Sequence, residues 1–204
     1  PGFATARVGL AAAVMLHFWL FYAFYAAELF MPLIMIEFRG LSSSVTGLAF
    51  TSCAITWVAA SFFQAWLCTR VSLFYSLFLG MCITTLSVAA AASLLLPQVP
   101  YWVVYPAWAV AGVGMGISFN TVVSATMDYT REGEEGATST ANGIAGSLAI
   151  GLAAGVGGAI INHGEQAGVG FASSLGLVWV MAGIACLACF GVIWARFRGV
   201  DQPH

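Results

Sequence analysis

Glu28 is the one carboxylate set well inside an apolar run of this 204-residue chain. It lies nine residues before Glu37, which along a helix is about 13 Å. A charge at that depth in hydrocarbon is expensive and points to a function by default. The chemistry it offers is the uptake and release of a proton. Pro32, one turn further on, removes the backbone donor that a regular helix would give to the Glu28 carbonyl. A kink beside an acid suggests a site; the alternative is a Glu hydrogen-bonded to a neighbouring helix for assembly alone. His17 precedes Glu28 by eleven residues, about three helical turns, so the two share a face with Phe24 or Tyr25 between them. For His17, packing or an interfacial position in the inner leaflet is the plainer reading, and a place in a cavity the sharper one.

Other polar residues fall at helical spacing. Ser52, Thr56, Ala60 and Gln64 recur in steps of four. Such a stripe either lines a water-filled cavity or lets helices hydrogen-bond closely. Gly112, Gly116, Asn120, Ser124 and Asp128 repeat the pattern. Gly112-x-Gly114-x-Gly116 superficially resembles a phosphate-binding loop, but no strand precedes it and the glycines lie inside an apolar helix. Close helix packing accounts better for the glycines, with Asn120 and Ser124 as candidate cavity residues. Gly143, Ser147, Gly151, Gly155 and Ala159 form an i+4 ridge, with Gly146, Gly157 and Gly158 beside it. A helix this smooth admits another backbone, and suits a surface that slides or rocks. Cys186-x-x-Cys189 has no His or carboxylate near it, so packing is expected there and no metal site.

The elements that position these residues follow from composition. Apolar residues make up 61% of the chain and charged residues 7%, against about a quarter charged in a soluble domain. Such a chain has no means of covering a water-facing surface. Six basic residues against eight acidic ones exclude nucleic acid as a partner, and five Cys, an odd number, argue against a disulfide scaffold. Membrane helices need about 20 apolar residues each, and six runs qualify: 8–36, 44–67, 72–96, 101–127, 137–162 and 171–194. Outer-membrane strands would alternate apolar and polar residues instead. The connections are short, so successive helices are expected to be antiparallel neighbours. Arg7, Arg70, Arg131, Arg196 and Arg198 fall on one side and Arg39 alone on the other. The positive-inside rule then puts both termini in the cytoplasm. Tyr101, Trp102, Tyr105 and Trp108 read as an outer-interface belt.

At this point the chain resembles the C-terminal half of a major facilitator superfamily transporter, of the drug:proton antiporter type. The stretch from Glu28 through Pro32-Leu33, Arg39-Gly40 and Gly47-Leu48 is similar to the exit of that family's seventh helix. Ala65-x-x-x-Thr69-Arg70-x-Ser72 sits where the family's cytoplasmic loop motif is echoed, with Arg70 as the residue kept. The Gly112 triplet resembles its tenth helix. Ala141-Asn142-Gly143 with Gly146 to Gly151 resembles its eleventh. The resemblance implies an all-α bundle of six transmembrane helices, built as an inverted repeat of three plus three. Two such bundles enclose a cavity and rock for alternating access. Helices one and four would line the cavity, two and five would also meet the other bundle, and three and six would face lipid.

The expected function is proton-coupled export of small amphipathic molecules across the cytoplasmic (plasma) membrane, without enzyme activity, cofactor or metal. Glu28 is the expected coupling acid, and His17, Tyr25, Thr56, Asn120 and Ser124 the cavity residues. Pro32 is the kink and Arg70 the loop-motif residue, while Gly143, Ser147, Gly151 and Gly155 pack the bundles together. Phe21, Tyr22 and Tyr25 would suit flat or greasy substrates. The chain begins at Pro1 rather than Met and is expected to be half of a larger transporter, completed by a missing N-terminal half of six or more helices or by a second copy. A non-transporting membrane assembly or receptor-like subunit is the rival reading. An intramembrane serine protease is remote, because the only His residues after Ser147 are His163 and His204, outside the apolar runs.

Overall fold

The computed structural model describes residues 8–198; Arg7 and His204 lie outside them. Six helices are long and apolar enough to cross a membrane, and no strand occurs among the described residues. They are α1 (Val8–Glu28), α2 (Ser43–Leu67), α3 (Leu73–Ala92), α4 (Val104–Asp128), α5 (Glu135–Gln166) and α6 (Phe171–Phe197). Single 3₁₀ turns, Ser93–Leu95 and Tyr101–Val103, extend α3 and precede α4.

The first span is broken where Pro32 requires it. Regular α-helix stops at Glu28, and the chain resumes as a π-helical segment, Leu33–Phe38. The Arg39 N–H closes that segment by bonding back five residues to the Ile34 carbonyl at 2.9 Å. Gly40 then turns the chain with φ +67°, a conformation glycine adopts without a Cβ penalty.

Helix order in space departs from helix order along the chain. α2 lies along α4, with no comparable contact to α1 or α3, its sequence neighbours. The expectation that successive helices pack side by side is therefore corrected for both pairs. The reason is chemical. In lipid no apolar penalty drives helices together, and association rests on close packing and hydrogen bonds. α4 offers α2 a groove: a Cβ on Gly112 would run into the Cys53 carbonyl and the Thr56 hydroxyl, and one on Gly116 into Ala60. Thr56 Oγ1 donates to the Ala109 carbonyl at 2.7 Å, and Ser52 to that of Tyr105 at 3.3 Å. Gly114 meets Thr84 of α3 in the same way, and Gly80 of α3 meets Ser118 of α4.

α5 lies along α1, and α6 packs on α1 as α3 packs on α4; α3 and α6 also meet each other. Exchanging the first three helices for the last three maps these contacts onto one another, which is a pseudo-twofold arrangement. α1 and α4 are the most buried helices, α2 and α5 the least. The outward faces of α3 and α6 are bulky (Tyr75 and Leu86, Leu187 and Trp194). Their inner faces carry buried Ser76, Thr84, Ser87 and Ser174, so neither helix is uniformly apolar in its contacts.

Arg39 fastens the ends opposite the α2–α3 and α4–α5 loops. Its guanidinium donates to four carbonyls beyond α3: Leu94 (3.0 Å), Leu96 (2.8 Å), Pro97 (3.2 Å) and Val99 (2.8 Å). These are acceptors that a helix end leaves without intrahelical donors.

Candidate functional site

One face of α1 carries His17, Phe21, Tyr25 and Glu28 in successive turns. The His17 ring stacks on Phe21 with centroids 4.5 Å apart and planes at 19°, and Phe21 continues to Tyr25 at 5.5 Å. Phe119 of α4 touches both His17 (5.7 Å) and Phe21 (5.6 Å). Trp57 of α2 closes on Phe119 at 5.8 Å and on Phe24 at 5.7 Å. An aromatic wall thus runs along α1 between His17 and Glu28.

Glu28 ends the regular part of α1. Its Oε2 is buried and has no hydrogen-bond partner among the described residues. The helix break beside it gives the acid a backbone that is already irregular.

A pocket of about 380 Å³ opens among α1, α4 and α5, toward the α4–α5 loop. Phe21, Phe119, Val123 and Met127 form its apolar wall. His17, Ser139, Asn142 and Ser147 supply its polar groups. Gly143 and Gly146 form part of its α5 side, and a Cβ on Gly146 would sit 3.3 Å from His17 Nε2. The missing side chain there lets α1 and α5 approach at this level. His17 Nδ1 and Asn142 Oδ1 are both buried without a partner among the described residues.

The expected site residues distribute unevenly around this pocket. His17, Gly143 and Ser147 line it. Tyr25 and Glu28 lie further along the same face of α1. Thr56 spends its hydroxyl on the α2–α4 contact. Asn120 donates to Ser61 of α2 (2.8 Å) and to the Gly116 carbonyl (2.7 Å), so its amide also joins those two helices. Ser124 is exposed. Arg70 is exposed beyond α2, with its guanidinium 5.7 Å from the Trp66 ring. Gln64 donates to Thr121, which also pairs with Ser76 at 2.9 Å, a buried junction of α2, α3 and α4.

The α5 ridge divides in two. Gly146 and Gly157 face α1, where a Cβ would meet Phe21 and Phe30 respectively. Gly143, Gly151 and Gly155 face outward, with nothing within 4 Å of a Cβ built on them. Ser147 is exposed on that outward face. Asn142, Phe119 and Ser139 are pocket residues that sequence reasoning did not single out as a site. The one available signal was Asn142 itself, an amide one turn before Gly146.

Residues 3–154 match the family model described as Major Facilitator Superfamily. None of the curated proteins matches the chain. The matched region runs from the start of α1 well into α5, across the kink, the α4 glycine groove and the pocket. With its six apolar helices, this makes the protein an integral, multi-pass membrane protein of a family that carries out transmembrane transport, and the chain belongs to the Major Facilitator Superfamily.

Proposed function

We propose that the chain is one six-helix bundle of a proton-coupled exporter of small amphipathic molecules, with Glu28 as the coupling acid. The observation that carries this is the Glu28 carboxyl: inside the first span, at a helix break, with a buried oxygen that none of the described residues satisfies. A carboxylate so placed is tolerable when it meets water, a proton or a substrate, and costly otherwise. The aromatic wall from Tyr25 to His17 suits flat, greasy molecules. Alternating access requires a second bundle, either a separate six-helix half or a second copy. The outward Gly143, Ser147, Gly151 and Gly155 ridge is the smooth surface against which it would rock. The Arg distribution supports cytoplasmic ends.

Glu28→Gln tests the coupling role. It keeps shape and hydrogen bonding but removes the titration. In proteoliposomes of the assembled transporter, efflux of a fluorescent amphiphile driven by a pH gradient is expected to stop in Glu28→Gln. Glu28→Asp is expected to retain part of the rate with a displaced pH profile. Gradient-driven rates equal to wild type in the Gln variant would leave Glu28 structural.

A further inference from the structure

We infer that the groove between α3 and α6 seats one chain of an anionic phospholipid, whose phosphate meets Arg39 at the groove's end. The inference needs only that the protein sits in a bilayer, and it stands apart from the coupling reading. A cavity of about 320 Å³ lies between the two helices. Thr85, Ala89 and Leu95 border it from α3 and its last turn, and Gly176, Trp179 and Gly183 from α6. It is open on the outward surface: Ala89 is exposed, and a Cβ on Gly183 would meet nothing within 4 Å. The residues next in sequence to Thr85, Gly176 and Gly183 are large and exposed, Leu86, Leu177 and Ile184, so the small ones leave a channel. The buried Trp179 indole donates to the Val88 carbonyl at 3.2 Å, which ties α6 to α3 beneath it. Thr85 spends its hydroxyl on the Met81 carbonyl at 2.8 Å. The channel therefore suits an apolar occupant.

Length and position identify that occupant. The channel follows the chain from Thr85 to Leu95 and α6 from Gly176 to Cys186, about 15 Å of helix in each case. That is the hydrocarbon depth of one leaflet, half of about 30 Å. The two helices are in register at its end, where a Cβ on Gly176 would lie 3.9 Å from Leu95 Cδ1. Arg39 sits at this same end. Its guanidinium holds the carbonyls of Leu94 and Leu96, on either side of Leu95. An arginine has five N–H donors, and its bonds to Leu94, Leu96, Pro97 and Val99 leave one on Nη1 unspent. Those carbonyls are neutral groups that together carry the partial charge of a helix end, about half an elementary charge. The guanidinium thus keeps a surplus of positive charge. A phosphate diester takes both the spare N–H and the surplus charge, and its acyl chain then lies along the channel. A void facing lipid forfeits dispersion contacts along its walls; the chain restores them.

The test offers the purified transporter, in detergent micelles, two phospholipids with identical palmitoyl-oleoyl chains: phosphatidylglycerol and phosphatidylcholine. Mass spectrometry of the intact protein counts the lipid retained. Saturable retention of phosphatidylglycerol is expected, about fivefold tighter than phosphatidylcholine, the worth of one basic residue to an anionic lipid. Gly183→Leu fills the channel from a position with room for the side chain. It is expected to weaken phosphatidylglycerol about fivefold or more, with the melting temperature of the lipid-free protein unchanged. Gly191→Leu, equally open but outside the channel, should bind as wild type does. Arg39→Gln should bring phosphatidylglycerol down to the level of phosphatidylcholine; if that variant fails to fold, the headgroup comparison and Gly183→Leu still decide. Equal retention of the two lipids by wild type would make the occupant ordinary boundary lipid and overturn the proposal. So would phosphatidylglycerol retention that is unchanged in Gly183→Leu. A change of oligomeric state in Gly183→Leu with lipid retention intact would give the groove to another helix bundle and overturn it too.

Discussion

Removing Arg39 should loosen the ends of α3 and α4 that it fastens, by an amount the structure allows to be worked out. Its guanidinium spans four carbonyls, of which those of Leu94 and Val99 are reached by part-buried bonds and those of Leu96 and Pro97 by exposed ones. A sheltered hydrogen bond from a charged donor is worth about 1.5–3 kcal/mol, and an exposed one well under about 1 kcal/mol. Arg39→Ala is therefore expected to cost about 3–6 kcal/mol. Arg39→Lys keeps the charge but not the planar fork, and should recover no more than about half of that loss. Reversible unfolding in mixed micelles reads the total. Hydrogen exchange places it, with faster exchange expected at residues 94–103 and in the Leu33–Phe38 segment, and unchanged rates where α5 meets α1. A loss below about 0.5 kcal/mol, or full rescue by Lys, would refute the reasoning that the fork, rather than a general positive charge, secures these ends.

Gly112→Ala places a methyl against the Cys53 carbonyl and Thr56; the overpacking is expected to cost about 1–3 kcal/mol, measured as a fall in melting temperature in detergent. Gly151→Leu, on the open face of α5, should leave the melting temperature of this bundle within about a degree while abolishing transport by the assembled protein, because it obstructs only the surface offered to a partner. Single-Cys variants in a background without native Cys test orientation: Gln98→Cys should react with an impermeant maleimide from outside, and Gly133→Cys only after permeabilisation.

Much of the fold was legible because a membrane imposes length and apolarity on its helices. Six long apolar runs have few other interpretations. The break after Glu28 was legible too, since Pro32 acts through its own missing N–H and needs no distant partner. What could not be read were the pairings. The Arg39 acceptors lie 55 to 60 residues away, so by charge counting Arg39 looked like a lone exception to the positive-inside pattern. The structure gives it a local occupation instead. The α2 stripe admitted two readings of equal standing, cavity or close packing, because Ser52, Thr56 and Gln64 have the same spacing in either case. Their bonds to Tyr105, Ala109 and Thr121 place them in packing.

Asn120 illustrates the same limit. It lies on a glycine-rich helix at a depth suited to a cavity, yet the rotation of α4 turns its amide toward Ser61. That rotation instead gives the pocket Phe119 and Val123. That His17 and Asn142 line one pocket depends on how α1 and α5 are rotated about their axes, and Gly146 permits the close approach of the two helices. No spacing within either helix encodes it.

The central claim, that Glu28 exchanges a proton during transport, is tested most directly by infrared difference spectroscopy on the reconstituted transporter. The spectrum recorded on adding a transported amphiphile should contain the carbonyl stretch of a carboxylic acid gaining or losing its proton. That band should be absent in Glu28→Gln and displaced in Glu28→Asp. A substrate-induced carboxyl band that persists unchanged in Glu28→Gln would assign the proton to another acid and contradict the account.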